Sequence, residues 1–369
     1  MITPLPAADT RFSELAQGFL EEYLALSPTT ATSVGFHRYR EARSGREVRL
    51  DEQVDDLSAA GLKKQRQALE RWRRRFQAQV SRQALSPEDR ADYDLIQDQI
   101  ALGLLELDTI QSYRHNPTLY VELAGNALFY PLVLEYAPKP ERFAHIIARL
   151  ERLPELFRQA RQNLADTAPI YTKVALEENQ GNAGLIRQAL AAQAPPELKA
   201  RYEAAAAPAL RAIEEFDRFL QQDLARRSTG AWRLGAEKYR RKLRLSLGTE
   251  MSPDQVLAAA EAALSRLRAE MLRLARPLHD QMYPDHDGHA ALPAAQREST
   301  IIREVLDRIA EEHLRPDQLK AEVVGELDQI RQFLGRRDLL TLPPRQNLEV
   351  IDTPEFMRGI YGVAGFQAA

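Results

Sequence analysis

The feature that most constrains this chain is the return of apolar residues every three or four positions along almost its whole length. Phe12, Leu15, Phe19, Leu20, Tyr23 and Leu24 form one such stripe. Leu62, Leu69, Trp72 and Phe76 form a second, and Tyr93, Ile96, Ile100, Leu104 and Leu107 a third. The pattern resumes from Phe143 to Leu164, Leu210 to Leu224, Val256 to Leu274, Ile301 to Ile309 and Leu319 to Leu334. That spacing gathers side chains on one face of an α-helix, so each stripe predicts a helix that buries one side. The sequence therefore predicts an all-α fold.

Local signals set the ends of these helices. Ser86-Pro87-Glu88-Asp89 and Ser252-Pro253-Asp254-Gln255 read as helix starts, with serine as N-cap and proline at the first position. Asn116-Pro117 predicts a break, and Pro154 a kink or break inside the stripe around it. Leu119 to Leu134 is apolar enough to be buried. Asn347-Leu348-Glu349-Val350-Ile351 alternates polar and apolar, which predicts one short strand near the end. The expected organisation is a helical domain over 1–346, with a sub-boundary near 195–230, and the start of a second part over 347–369. The last residues, with Ile360, Tyr361, Val363 and Phe366, read as the beginning of something longer. Their exposure would invite self-association.

Composition removes several function classes. There are no cysteines, which excludes disulfides, thiol nucleophiles, zinc ribbons and iron–sulfur clusters. A net charge of −3, from 50 basic and 53 acidic residues, gives no general attraction to nucleic acid or an anionic membrane. In Arg71-Trp72-Arg73-Arg74-Arg75 the aromatic shares a helix face with Phe76, so it is expected to point inward while the arginines stay wet. No signal-peptide pattern opens the chain. Its most apolar stretch, Ala127 to Tyr136, is too short to cross a bilayer. These features read as cytoplasmic. Neither a Gly-x-Ser-x-Gly elbow nor a phosphate-cradling glycine loop is present.

Five segments carry a family resemblance: Pro28 to Tyr39; Asp92-Tyr93-Asp94-Leu95-Ile96 with Asn116-Pro117 and Tyr120; Arg142 to Leu164; Leu234 to Tyr239; and Thr353-Pro354-Glu355-Phe356. Together, in this order, they resemble a bacterial family of uncharacterised proteins related to zinc-dependent oligopeptidases and carboxypeptidases. The resemblance implies a multi-helix lobe of a zincin-like, cleft-forming fold. It also implies a His-Glu signature on a helix, where two imidazoles hold zinc and the carboxylate acts as general base. None of the seven histidines here, His37, His115, His145, His279, His286, His289 and His313, is followed by glutamate. The catalytic positions therefore cannot be carried over. No cofactor is expected in this chain, and zinc only in a full-length protein.

The remaining candidates each have two readings. Arg38 and Tyr39 could face the cleft and hold a peptide carboxylate. Alternatively they belong to a turn in which Gly35 takes a positive φ and Arg38 pairs with a helix end. Asn116 and Tyr120 could line a substrate channel, although asparagine before proline is commonly a turn former. His286 and His289 sit in Tyr283-Pro284-Asp285-His286-Asp287-Gly288-His289, a weak metal-site candidate that also reads as a solvated loop. The functional expectation is the N-terminal helical lobe of a metallopeptidase-like protein. It would form one wall of a peptide-binding cleft and be inactive alone. The alternative is a non-enzymatic helical module that binds another protein.

Overall fold

The computed structural model describes residues 10–41, 44–286, 288–344, 348–353 and 365–366. The chain divides into two compact units, Met1–Thr249 with Thr353–Ala369, and Glu250–Asp352. The first contains α1 (Thr10–Ala25), α2 (Pro28–Ser33), a hairpin of β1 (Arg38–Arg40) and β2 (Glu47–Arg49), α3 (Ala59–Gln79), α4 (Pro87–Leu105) and α5 (Ser112–His115). It continues with α6 (Thr118–Val133), α7 (Lys139–Leu150), α8 (Leu153–Asn163), α9 (Pro169–Gly184), α10 (Ala191–Gln193), α11 (Lys199–Phe219), α12 (Ala225–Arg227) and α13 (Ala236–Leu247). Wider π-helical turns extend α4 at Glu106–Ile110, α9 at Leu185–Leu190 and α11 at Leu220–Leu224. The second unit contains α14 (Pro253–Met282), α15 (Ala294–Ala310) and α16 (Leu319–Arg337). No described helix is long and apolar enough to cross a membrane.

The predicted punctuation corresponds to real chain geometry. Ser86 accepts a hydrogen bond from the Asp89 amide, with Pro87 at the first helical position. Ser252 and Gln255 form a reciprocal capping box. Pro154 falls in the first turn of α8, so the expected break lies between Leu150 and Leu153. The strand expected over 347–351 is absent: Leu348 to Ile351 are irregular, and Asn347 lies outside the described residues. Leu348 and Ile351 are each 47% exposed, so that alternation has neither a core to face nor a partner strand to take its hydrogen bonds. Strand structure appears instead in the antiparallel hairpin, where Tyr39 lies opposite Val48. Of the apolar tail, Ile360, Tyr361 and Val363 lie outside the described residues, while Phe366 is exposed.

Two apolar cores organise the first unit. The smaller joins α1, α3 and α4 through Phe12, Leu15, Phe19, Leu69, Trp72, Phe76, Ile96, Ile100 and Leu104. Trp72 and Phe76 do turn inward. Leu20, counted with the first stripe, is half exposed. Gly103 permits the close crossing of α3 and α4, because a Cβ there would stand 2.8 Å from Leu69 Cδ1. The larger core joins α6 to α9 and α11 through Tyr120, Leu128, Phe143, Ile146, Leu150, Phe157, Ile213 and Phe216, among others.

A buried cation fastens this assembly. Pro131 lies inside α6 and has no N–H, which frees the Ala127 carbonyl from its helical bond. Arg149 of α7, with no exposed surface, donates Nη1–H to that carbonyl at 2.9 Å. Its Nε–H goes to the Gln53 carbonyl at 3.0 Å. Nη2 reaches Thr32 Oγ1 at 2.6 Å and the Pro28 and Leu50 carbonyls at 3.3 Å each. Burial pulls the Arg149 pKa below its ordinary value, and the Asp51 carboxylate opposes that shift. Arg142 does similar work at the end of α6, donating to the Pro131 and Leu132 carbonyls at 2.8 Å.

Replacing Arg149 with methionine is expected to cost about 3–5 kcal/mol, since it strands buried acceptors and leaves Asp51 without its cation. Urea unfolding of the variant within about 1 kcal/mol of wild type would contradict this hub. Glu178 of α9 supplies a second test. It is buried, and neither carboxylate oxygen has a hydrogen-bond partner. Burial, then repulsion from Glu122 and Glu177, pushes its pKa up to about 7. The folded state thus favours the protonated acid. Its stabilising contribution is full below the ordinary glutamate value of 4.5 and is lost as pH rises through about 7. Glu178→Gln should therefore raise stability on the order of 2 kcal/mol at about pH 8 and much less at about pH 5. Equal effects at both pH values in chemical denaturation would refute the assignment.

Candidate functional site

The segment that carries the groove is built from the hairpin upward. Gly35 takes φ +76°, a conformation that favours glycine, and turns the chain from α2 into β1. Tyr39, in the middle of β1, is thereby placed against α1 and α3. Between them lies a groove of about 760 Å³, lined by Glu21 and Glu22 of α1, Tyr39 and Arg40 of the hairpin, and Lys64, Arg71, Trp72 and Arg75 of α3, among others. Its floor includes Leu50 and Gln53, two of the residues whose carbonyls Arg149 holds.

Charges of both signs line the groove. Glu22 accepts from Arg71 at 2.5 Å and from the Trp72 indole N–H at 2.8 Å. The Arg75 guanidinium stacks 4.8 Å from the Trp72 ring centre. Glu41 pairs with Arg46 at 2.8 Å. Exposed Arg40 and Lys64 have no hydrogen bond or ion pair with any described residue. Burial, followed by the charges of Glu22, Glu41 and Glu21, raises the Tyr39 pKa, so its hydroxyl keeps its proton.

Beneath the hairpin is a polar relay. Asp51 accepts from Thr32 Oγ1 at 2.6 Å and lies 3.0 Å from His37 Nδ1. The His37 ring stacks on Tyr136 at 4.2 Å, and the Tyr136 hydroxyl is 3.0 Å from His145 Nδ1. Burial lowers the His145 pKa against the pull of Asp51, and burial together with Asp51 raises that of Tyr136. Every group in the relay has a partner within it, so it braces the hairpin.

The residues predicted from sequence are dispersed. Tyr39 lines the groove. Arg38 points away from it and pairs across the hairpin with Glu47 at 3.4 Å, where a helix end had been expected. Asn116 Oδ1 accepts from the Thr118 amide at 3.1 Å and its hydroxyl at 2.8 Å, so this residue forms the turn that leads into α6. Tyr120 is fully buried and donates to the Tyr113 carbonyl at 2.7 Å, so it faces no channel. His286 and His289 belong to the second unit, where the fold brings them to His279 and Glu304. Sequence reasoning missed those two. The signal that could have found His279 is the crowding of three of the seven histidines into eleven positions, 279–289. Nothing local marks Glu304.

The residues do not fit a hydrolytic zinc centre of the His-Glu type. His115 Nδ1 binds the Ala165 and Asp166 carbonyls, and His313 Nδ1 binds the Ala310 carbonyl. His37 and His145 are held in the relay. No described helix presents two of these imidazoles with a neighbouring glutamate.

No curated protein matches the chain. A solved structure from Shewanella oneidensis, described as "a putative lipoprotein of unknown function", superposes with a TM-score of 0.67 at 22% identity, covering 93% of this chain and 61% of the other. The likeness is one of fold, and the chain spans less than two thirds of that protein. The family model for bacterial proteins of unknown function DUF885 matches residues 28–369. The chain belongs to the DUF885 family.

Proposed function

We propose that this chain is the helical lobe of a metallopeptidase-like protein and that the groove between α1, the hairpin and α3 forms one wall of a peptide-binding cleft. The observation that supports this reading is the exposed pair Arg40 and Lys64, cations with no hydrogen bond or ion pair to a described residue, Lys64 feeling only the field of Glu41, at the rim of a groove that also offers Tyr39 and Trp72. A peptide has matching chemistry: a carboxylate for the cations, side chains for the aromatics, and an amine for Glu21. The hydrolytic zinc and its base belong to the full-length protein, so this chain positions substrate and does not cut it.

Fluorescence anisotropy with labelled oligopeptides tests the reading. Wild-type chain should bind peptides that carry a free C-terminal carboxylate more tightly than amidated ones. The double variant Arg40→Glu, Lys64→Glu should weaken binding at least about tenfold, as expected when charge pairing reverses to repulsion. Equal affinity for free and amidated peptides, unchanged by the double variant, would remove the groove from the mechanism. Chelator-sensitive peptide cleavage by the 369-residue chain would contradict its inactivity. Capture of a folded protein partner without peptide binding would favour the non-enzymatic interaction module.

A further inference from the structure

The strongest unassigned chemistry lies in the second unit. We propose that His279, His286, His289 and Glu304 form a binding site for a divalent transition metal of the zinc class, which clips the loop over 283–293 to α14 and α15. The site shares no residue with the groove.

The elements that deliver the donors are well separated in sequence. His279 stands in the last turn of α14, two residues after Pro277, and Glu304 on α15. His286 and His289 come from the loop between them. One ligand atom from each of the four residues lies within 4.8 Å of every other. In tetrahedral zinc coordination, bonds of about 2.0–2.1 Å place neighbouring ligand atoms about 3.3–3.4 Å apart. His279 Nε2 and His289 Nε2 are 3.3 Å apart. Glu304 Oε2 is 2.9 Å from the first and 2.8 Å from the second. His286 Nε2 is 3.7 Å from Glu304 Oε1. Small side-chain rotations bring all four onto one ion.

His279 and His289 turn the same nitrogen toward one Glu304 carboxylate oxygen, and both imidazoles are largely buried. Convergence of imidazole nitrogens and a carboxylate oxygen on one point is what a shared ion requires. Gly288 leaves room for the loop, since a Cβ there would come within 3.2 Å of the His286 ring.

What the unit buries points the same way. Among its described residues, the buried apolar side chains are Ala275 and Val305, and beside them stand His279 and His289. Three helices with so little apolar burial among their described residues have room for a further source of stability, which a metal bound to the folded form would supply. Three imidazoles and one carboxylate suit zinc and its neighbours and not calcium or magnesium, which prefer oxygen. Four protein ligands leave no open position, the mark of a structural centre.

The test uses the full chain, free of any histidine tag, stripped with a chelator and titrated with Co(II) and Zn(II). One Co(II) per chain should bind with intense visible bands of tetrahedral coordination, Zn(II) should displace it, and Zn(II) should raise the melting temperature. His289→Ala and Glu304→Gln should each weaken binding at least about tenfold. His286→Asn, at a partly exposed loop position that leaves the helix pair intact, should do the same and alter the Co(II) spectrum. Absence of saturable Co(II) binding by the wild-type chain, or binding unchanged in His286→Asn and in folded Glu304→Gln, would overturn the site.

Discussion

The first unit rests on one guanidinium. Arg149 is fully buried, yet its hydrogen bonds reach α2, the turn after β2, the segment that leads to α3, and α6. Removing a charge from water is costly unless every donor finds an acceptor. Here the acceptors exist because of other local choices. Pro131 opens one carbonyl in α6, and the turn after β2 presents another at Leu50. The cation is thus both the product of several backbone irregularities and the reason they can coexist in one interior. The relay through Asp51, His37, Tyr136 and His145 adds the compensating anion and carries the bracing outward to the hairpin.

That bracing has a functional counterpart. The groove floor at Leu50 and Gln53 is made of residues whose carbonyls Arg149 grips, so a rigid interior sets the width of an open surface. The rim differs: Arg40 and Lys64 are exposed and make no hydrogen bond or ion pair with a described residue. A fixed floor beneath an exposed cationic rim is the geometry on which the proposed peptide-binding role depends. The second unit follows another principle, with a few polar side chains gathered where a larger domain would place apolar ones.

Much of the helical architecture was legible because it is written locally. Ser86, Ser252 and Pro154 act within a turn or two of themselves, and stripes such as Phe12, Leu15 and Phe19 need only a helix to acquire a buried face. The hairpin was not legible, since three-residue strands rich in arginine and glutamate lack an alternating apolar signal. The alternation at Leu348 to Ile351 misled for the converse reason: a strand also needs a neighbour. Arg149 reads as an ordinary helix arginine, and only the tertiary placement of distant carbonyls gives it its role. Of the histidine cluster, the loop pair was visible, whereas His279 and Glu304 join it through helix packing that no short window encodes. Tyr39 was separable from Arg38 only once the hairpin's packing and the Arg38–Glu47 pair were known.

The identity of the Arg149 acceptors has an evolutionary corollary. Apart from the Thr32 hydroxyl, they are all main-chain oxygens, at Pro28, Leu50, Gln53 and Ala127. A peptide oxygen persists whatever side chain its residue bears. Substitutions at Leu50, Gln53 or Ala127 can therefore change the lettering of the junction without touching these hydrogen bonds, whereas Arg149, and the Pro131 that opens the Ala127 carbonyl, leave no such freedom.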